Sequence, residues 1–175
     1  MSELVKTTFE GLIEEATKDA SKTSGTFKVV SELEEHVRVK NTTRGFEFIA
    51  DEPEALAGTN IGPNPIEYLL GSLGACQVIT YQAVAALKGI KLNHVRVETK
   101  GNIDWRGFLG IGEDVRPGYQ KIEVEAIIDS DESPEKIEEL IQAVDARCPI
   151  LDNLVNAVEI TNKTTLVNTQ QPVAG

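Results

Sequence analysis

The chain has 175 residues, and 41% of them are hydrophobic, which is enough for one domain with a core of its own. Its formal net charge of -11 argues against nucleic acid and anionic membranes as partners, because both repel acidic surfaces. The first residues lack the basic and apolar regions of a signal peptide, and we expect no apolar run near the roughly 18 residues of a membrane span. We therefore expect a cytoplasmic protein whose thiols are kept reduced.

The N-terminal third of the chain predicts one helix followed by two strands. Residues 3–20 carry apolar side chains at helical spacing and predict an amphipathic helix. Residues 27–40 and 46–50 alternate apolar with polar side chains, which predicts two strands joined around residues 41–43. Residues 51–65 are rich in glycine and proline and predict a long loop.

A long apolar helix is predicted over residues 66–87. Asn64 fits its N-cap, Pro65 its first position, and Glu67 completes a capping box that explains this carboxylate structurally. Each glycine costs a helix interior about 1 kcal/mol relative to alanine. Small residues inside the helix therefore indicate that another backbone or helix approaches closely there; they are Gly71, Ser72, Gly74 and Ala75.

The second half of the chain predicts an alternation of strands and helices. In order they are a strand over 95–103, a glycine-rich connection over 105–118, a strand over 122–128, a helix from Ser133-Pro134 to 144, a short helix after Pro149 and a strand over 158–167. Residues 170–175 are predicted to be disordered. The order β-β-α-β-β-α-β predicts a single α+β domain.

The two cysteines of the chain are the first candidates for chemistry. Cys76 falls on the buried stripe of the long helix, where a free cysteine is most simply a small core residue. Burial raises the pKa of a thiol above its usual value of about 8.5, so a reactive thiol here would need a cation from elsewhere in the sequence. Cys148 precedes Pro149 and fits a helix N-cap, which on local grounds predicts the more acidic thiol.

Other chemistries have less support in the sequence. Two cysteines cannot form a zinc cage alone, and His36 and His94 stand at no ligand spacing from them. Neither histidine forms a recognisable Cys-His arrangement, which disfavours a cysteine hydrolase. Glu67 precedes Cys76 by nine residues, about two and a half helical turns, so these two side chains do not share a helix face.

Residues 62–76, which read Gly-Pro-Asn-Pro-Ile-Glu-Tyr-Leu-Leu-Gly-Ser-Leu-Gly-Ala-Cys, together with Cys148-Pro149, resemble the OsmC/Ohr superfamily of osmotically inducible and organic hydroperoxide resistance proteins. Residues 51–53 and 104–118 fit one of its less characterised branches. The resemblance places an OsmC-like domain at 26–168, between an N-terminal helical extension (1–25) and a tail (169–175). It implies an intertwined α+β homodimer, with antiparallel sheets packed around long central helices and active sites at the dimer interface.

The resemblance also implies a function. Cys76 would attack the O–O bond of an organic hydroperoxide, and Cys148 would resolve the sulfenic acid as an intramolecular disulfide. An arginine held by a glutamate activates the first thiol; Glu67 matches the glutamate, and Arg44 matches the arginine, with Arg38 as the alternative. The spacing departs slightly from the best-studied branch, in which the glutamate stands ten residues before the cysteine.

The implied partners are an organic hydroperoxide, a second copy of the chain and a dithiol reductant such as a lipoyl-protein or a thioredoxin-like protein. No metal, flavin or nucleotide cofactor is required. Leu69, Leu70 and Leu73 are expected to form the apolar wall beside the attacking sulfur. The alternative function is a non-catalytic, stress-related protein that binds a small molecule in the same pocket.

Overall fold

The computed structural model describes residues 2–167 and contains helices packed on two antiparallel sheets. The elements in chain order are α1 (Ser2–Lys18), β1 (Val30–Glu35), β2 (Arg38–Thr43), β3 (Phe46–Ala50), α2 (Pro65–Lys88), β4 (His94–Ile103), α3 (Trp105–Leu109), β5 (Tyr119–Asp129), α4 (Pro134–Asp145) and α5 (Pro149–Val155), with short 3₁₀ helices at Ala20–Thr23 and Glu54–Leu56. The predicted α+β class is confirmed. The predicted disordered tail lies outside the described residues.

The core of the molecule lies between α2, α4 and the sheet of β4 and β5. These two strands pair along nearly their whole length, from His94 opposite Asp129 to Ile103 opposite Tyr119. Leu140 and Val144 sit on the inner face of α4 and are fully buried against α2. Burial of each such side chain contributes about 1.5–3 kcal/mol, so α4 is firmly anchored on α2.

The predicted start and end of α2 are confirmed. The Asn64 side chain accepts a hydrogen bond from the Glu67 backbone N–H at 2.9 Å, and the Glu67 carboxylate accepts one from the Asn64 N–H at 2.9 Å. At the other end Gly89 has a φ of 68°, a left-handed conformation that glycine adopts without a steric penalty. The capping box therefore fixes the residue at which α2 begins, and with it the position of every later side chain along the helix axis.

The expectation that no segment is long and apolar enough for a membrane span is wrong for α2. This helix has 24 residues and passes that test by length and composition. A core helix passes the same test, and α2 buries Leu73, Gln77 and Tyr81 against its neighbours in the chain. These contacts are those of a core helix, and the described chain leaves other apolar side chains of α2 exposed, including Ile79 at 65%.

The N-terminal sheet has three strands instead of the two predicted, in the order β1-β2-β3. Residues 41–43 lie inside β2, and the turn falls at Arg44 and Gly45. Their φ angles of 48° and 85° are both positive, as a two-residue type I′ hairpin requires. An Arg-Gly pair is a weak signal for this turn, which is why the sequence placed the bend three residues early.

Two further predictions about the second half are wrong. The glycine-rich connection contains the short helix α3, which Asp104 caps through its side chain and Gly110 ends. Residues 158–167 form no strand within the described chain, and Ile160 and Leu166 are 80% and 89% exposed. A strand needs a neighbour to pair with, and this segment pairs with none of the strands among residues 2–167.

The small residues of α2 are only partly explained within one chain. A side chain at Gly74 would meet Thr99 of β4 at an ordinary van der Waals distance of 3.6 Å. At Gly71 it would meet nothing within 4 Å. The expected close approach at Gly71 is therefore not provided by the described part of the same chain.

Candidate active site

The structure brings the two cysteines together. The Cys148 thiol donates a hydrogen bond to the Cys76 sulfur, with the two Sγ atoms 3.3 Å apart. Cys76 lies in the middle of α2, and Cys148 is the N-cap of α5. Seventy-two residues separate them in sequence, so their contact is a product of tertiary packing.

The position of Cys148 follows from the way in which α4 ends. The Cys148 backbone N–H donates to the Val144 carbonyl at 2.9 Å and closes the last turn of α4. Pro149 at the first position of α5 then sets the direction of the next helix. Because Val144 is fully buried against α2, the register of α4 on α2 determines how closely Cys148 approaches Cys76.

Burial governs the electrostatics of Cys148, which is only 1% exposed. Burial raises the pKa of the Cys148 thiol, and the hydrogen bond to Cys76 raises it further. The backbone N–H groups of Leu151 and Ile150 act in the opposite direction without reversing the shift. The prediction of an acidic thiol at this N-cap is therefore wrong, because loss of hydration outweighs the helix terminus.

An apolar cavity of about 660 Å³ lies beside Cys76, whose side chain is partly exposed to it. Its lining comes from α1, α2 and the start of α5: Phe9, Ile13, Ser72, Ala75, Cys76, Ile79, Thr80, Ala83, Val84, Leu87, Arg147, Pro149 and Ile150. Arg147 is the one charged residue among them. The cavity can receive a hydrocarbon group next to the Cys76 sulfur.

The sequence predicted other residues for the apolar wall beside the Cys76 sulfur. Leu69 and Leu73 line a different cavity, between α2, β5 and α5, and neither is among the residues that line the cavity beside Cys76. Both lie on the same side of α2 as Cys76, one and two turns earlier, so position along the helix could not distinguish the two cavities. Phe9, Ile13 and Arg147 were missed; the amphipathic face of α1 was the available signal for the first two.

Glu67 lies at the first turn of α2, where its Oε2 atom accepts the capping hydrogen bond. Its Oε1 atom accepts no hydrogen bond from any residue between 2 and 167 in this single chain. Glu67 also raises the pKa of Tyr119, although burial is the larger cause. One oxygen of this carboxylate is thus engaged in the cap, and the other is available to a cation.

Neither predicted arginine reaches Cys76 within the chain. Arg44 sits at the exposed tip of the β2–β3 hairpin, with its guanidinium 5.6 Å from the centre of the Phe46 ring. It lines a separate cavity near Thr26 and Phe27. Arg38 forms an ion pair with Glu35. Activation of Cys76 by either arginine would therefore require a second copy of the chain.

Comparisons with known proteins identify the family of the chain. A family model described as OsmC-like protein matches residues 58–163. A hydroperoxide reductase of Mycoplasma genitalium is 34% identical over 93 residues, which is 53% of this chain and 62% of that protein. The chain thus aligns with less than two thirds of this relative. The match lies inside the predicted domain at 26–168, whose boundaries stay a prediction.

Solved structures share the fold. An OsmC-like protein from Mycoplasma pneumoniae superposes with a TM-score of 0.68 at 24% identity, covering 77% of this chain and 91% of that one. An organic hydroperoxide resistance protein from Elizabethkingia anophelis gives a TM-score of 0.59 at 22% identity, covering 79% and 94%. At these identities the likeness concerns the fold alone.

Proposed function

The chain belongs to the family of OsmC-like proteins, and on this premise we propose that it is a thiol peroxidase that reduces organic hydroperoxides to alcohols. The observation that carries the proposal is the pair of thiols, with Cys76 and Cys148 3.3 Å apart beside an apolar cavity. The related hydroperoxide reductase supports the same chemistry. We further propose that the protein acts in the cytoplasm, where both thiols are kept reduced between turnovers.

The proposed reaction begins at Cys76. Its thiolate attacks one oxygen of the hydroperoxide, the O–O bond breaks, and the other oxygen leaves with a proton as the alcohol. Cys76 is now a sulfenic acid. The Cys148 sulfur then forms an S–S bond to Cys76, and the hydroxyl group leaves as water with the Cys148 proton. An external dithiol, proposed to be a lipoyl-protein or a thioredoxin-like protein, reduces this disulfide and restores both thiols.

The raised pKa of the Cys148 thiol disfavours Cys148 as the sulfur that attacks the peroxide, because the thiolate is the nucleophile. In the second step Cys148 loses its proton as its sulfur attacks the sulfenic acid, and the departing hydroxyl group takes that proton and leaves as water. Since the two sulfurs already lie 3.3 Å apart, disulfide formation requires only local movement.

Activation of Cys76 is proposed to come from a second copy of the chain. An arginine about 4 Å from a thiolate gives roughly 4 kcal/mol at an effective dielectric constant near 20, more than the roughly 2.7 kcal/mol of a hundredfold gain in thiolate. We propose that the partner subunit's Arg44 supplies this charge and that the partner subunit's Glu67 holds its guanidinium, since nine residues, about 13 Å of helix, separate Glu67 from Cys76 within one chain. Arg38 is the alternative, but its ion pair with Glu35 would first have to break.

Exposed apolar surface supports the homodimer that this mechanism needs. Every residue of β1 is exposed, including Leu33 at 68%, and Phe27 just before it is 86% exposed. In the segment 158–167, Ile160 and Leu166 are exposed to solvent. Exposed apolar segments next to an open strand edge are typical of surfaces that pair with another chain. A second copy would cover both segments.

The decisive assay is consumption of cumene hydroperoxide by the reduced protein with dithiothreitol as the reductant. We expect catalytic turnover, and we expect Cys76→Ser to reduce it to the rate of buffer alone. Tight binding of cumyl alcohol without any turnover by the wild type would instead favour the non-catalytic binding protein. The preformed cavity beside Cys76 is the observation that supports this alternative.

A further inference from the structure

The N-terminal helix α1 packs on α2 at the level of Cys76. Phe9 is half-buried and Ile13 follows one turn later, and both side chains line the cavity that Cys76 opens into. The opposite side of the helix is solvent-exposed, with Leu4 at 75%, and Ile13 is itself 53% exposed. The helix therefore presents Phe9 and Ile13 to an open cavity and Leu4 to solvent.

The composition of the cavity determines what it can hold. Hydrocarbon side chains from three elements surround it, and two of them, Phe9 and Ile13, come from α1. A molecule whose reactive end reaches the Cys76 sulfur must place the rest of its structure against this lining. An apolar group would gain contact area there, whereas a small polar molecule would gain none.

We propose that Phe9 and Ile13 are specificity-determining residues, and that α1 is the wall that makes Cys76 prefer reagents with a bulky apolar group. As applied to hydroperoxides the inference rests on the proposed function. The wall itself does not, because the Cys76 side chain borders this cavity whatever reagent attacks its sulfur. The prediction can therefore be tested on the thiol without turnover.

The test compares two maleimides that share a reactive ring, N-benzylmaleimide and N-methylmaleimide, on the full-length reduced protein. Peptide mapping follows alkylation of Cys76, and the ratio of the two rates cancels changes in thiol ionisation. We expect the double variant Phe9→Ala/Ile13→Ala to lower the benzyl-to-methyl ratio about tenfold. The matched control Leu4→Ala/Thr7→Ala truncates two exposed side chains on the outer face of the same helix and should leave the ratio unchanged.

A variant that fills the cavity provides a second test that does not depend on the folding of the double variant. Ile13→Trp should slow the benzyl reagent at least about fivefold, because it occupies cavity volume, and should affect the methyl reagent much less. An unchanged ratio in both variants, or an equal fall in the outer-face control, would overturn the inference. If the ratio behaves as expected while the wild type consumes no cumene hydroperoxide, the wall stands and the proposed peroxidase function fails.

Discussion

The region around the two thiols differs sharply from the N-terminal sheet. Leu140 and Val144 of α4 are completely buried and Cys148 is 1% exposed, whereas all six residues of β1 are exposed. Within one chain the two thiols meet, whereas Arg44 lies at the exposed tip of a hairpin. The comparison teaches that the thiol contact is an intrachain feature, and it is the basis of our proposal that activation of Cys76 is an interchain one.

The largest expected effect lies inside the packed region. Cys76→Ser should abolish consumption of cumene hydroperoxide, because a hydroxyl group cannot replace the thiolate as the nucleophile. The rate of peroxide loss in a coupled assay with dithiothreitol measures this. Residual turnover above that of buffer would move the attacking sulfur to Cys148 and reverse the proposed roles.

Cys148→Ser should change the product that accumulates at Cys76 instead of the rate of the first step. The first turnover should proceed at nearly the wild-type rate, since the attacking thiol is intact, and Cys76 should accumulate as a sulfenic acid that dimedone traps. With excess peroxide the sulfenic acid should go on to sulfinic acid. A dimedone adduct in the wild type as abundant as in this variant would show that Cys148 does not resolve the intermediate.

Arg44→Ala tests the unpacked region and should have the next largest effect. Loss of the guanidinium should lower the thiolate fraction of Cys76 and slow its alkylation by iodoacetamide at pH 7 about tenfold. The slowing should shrink as the pH rises, because a thiol then loses its proton with less help from a nearby cation.

Arg147→Ala is the matched control, because Arg147 lines the Cys76 cavity from within the same chain. We expect this variant to leave the pH profile of alkylation almost unchanged. A pH profile that shifts in Arg147→Ala but not in Arg44→Ala would show that the chain activates its own thiol. The proposed interchain activation would then be wrong.

The loop that links the two regions carries the smallest predicted effect. Asp51 is 1% exposed and accepts hydrogen bonds from the Thr59 hydroxyl at 2.7 Å and from the backbone N–H groups of Thr59, Glu52 and Ile61. The Thr59 hydroxyl is the main cause that lowers the pKa of Asp51 from 3.8 to about 2. The carboxylate thus fixes the segment between β3 and α2.

Because the pKa of Asp51 is lower in the folded chain, its stabilisation is fully present above pH 3.8 and is lost as the pH falls through about 2. Asp51→Asn should lower Tm by several degrees at pH 7, and the gap to the wild type should narrow across that acidic window. Thermal unfolding followed by circular dichroism measures both. The exposed Asp114→Asn is the control, and an equal loss of Tm there would remove the special role of Asp51.

Local signals in the sequence predicted the packed region well. Asn64, Pro65 and Glu67 form the capping box that the residue types indicate, and Ser133 caps α4 as expected. These features depend on side chains within three residues of one another, so a single sequence contains all the information. The alternating residues of β4 and β5 are equally local.

What the sequence could not predict depends on distant contacts. Burial of Cys148 reverses the effect of its helix N-cap, and the packing of α1 puts Phe9 at the Cys76 cavity. Residues 158–167 look like a strand in sequence but have no partner within the described chain. Helix and strand periodicity specify which face of an element is apolar, and they leave open which surface that face will meet.

The most direct test of the account is the disulfide itself. Reduced protein is treated with one equivalent of cumene hydroperoxide, then analysed by non-reducing electrophoresis and by peptide mapping. We predict a bond between Cys76 and Cys148 within one chain, migrating as an unlinked monomer. Bridges only between chains, or Cys76 found as sulfinic acid with Cys148 still a free thiol, would contradict the central claim that this thiol pair is the catalytic unit.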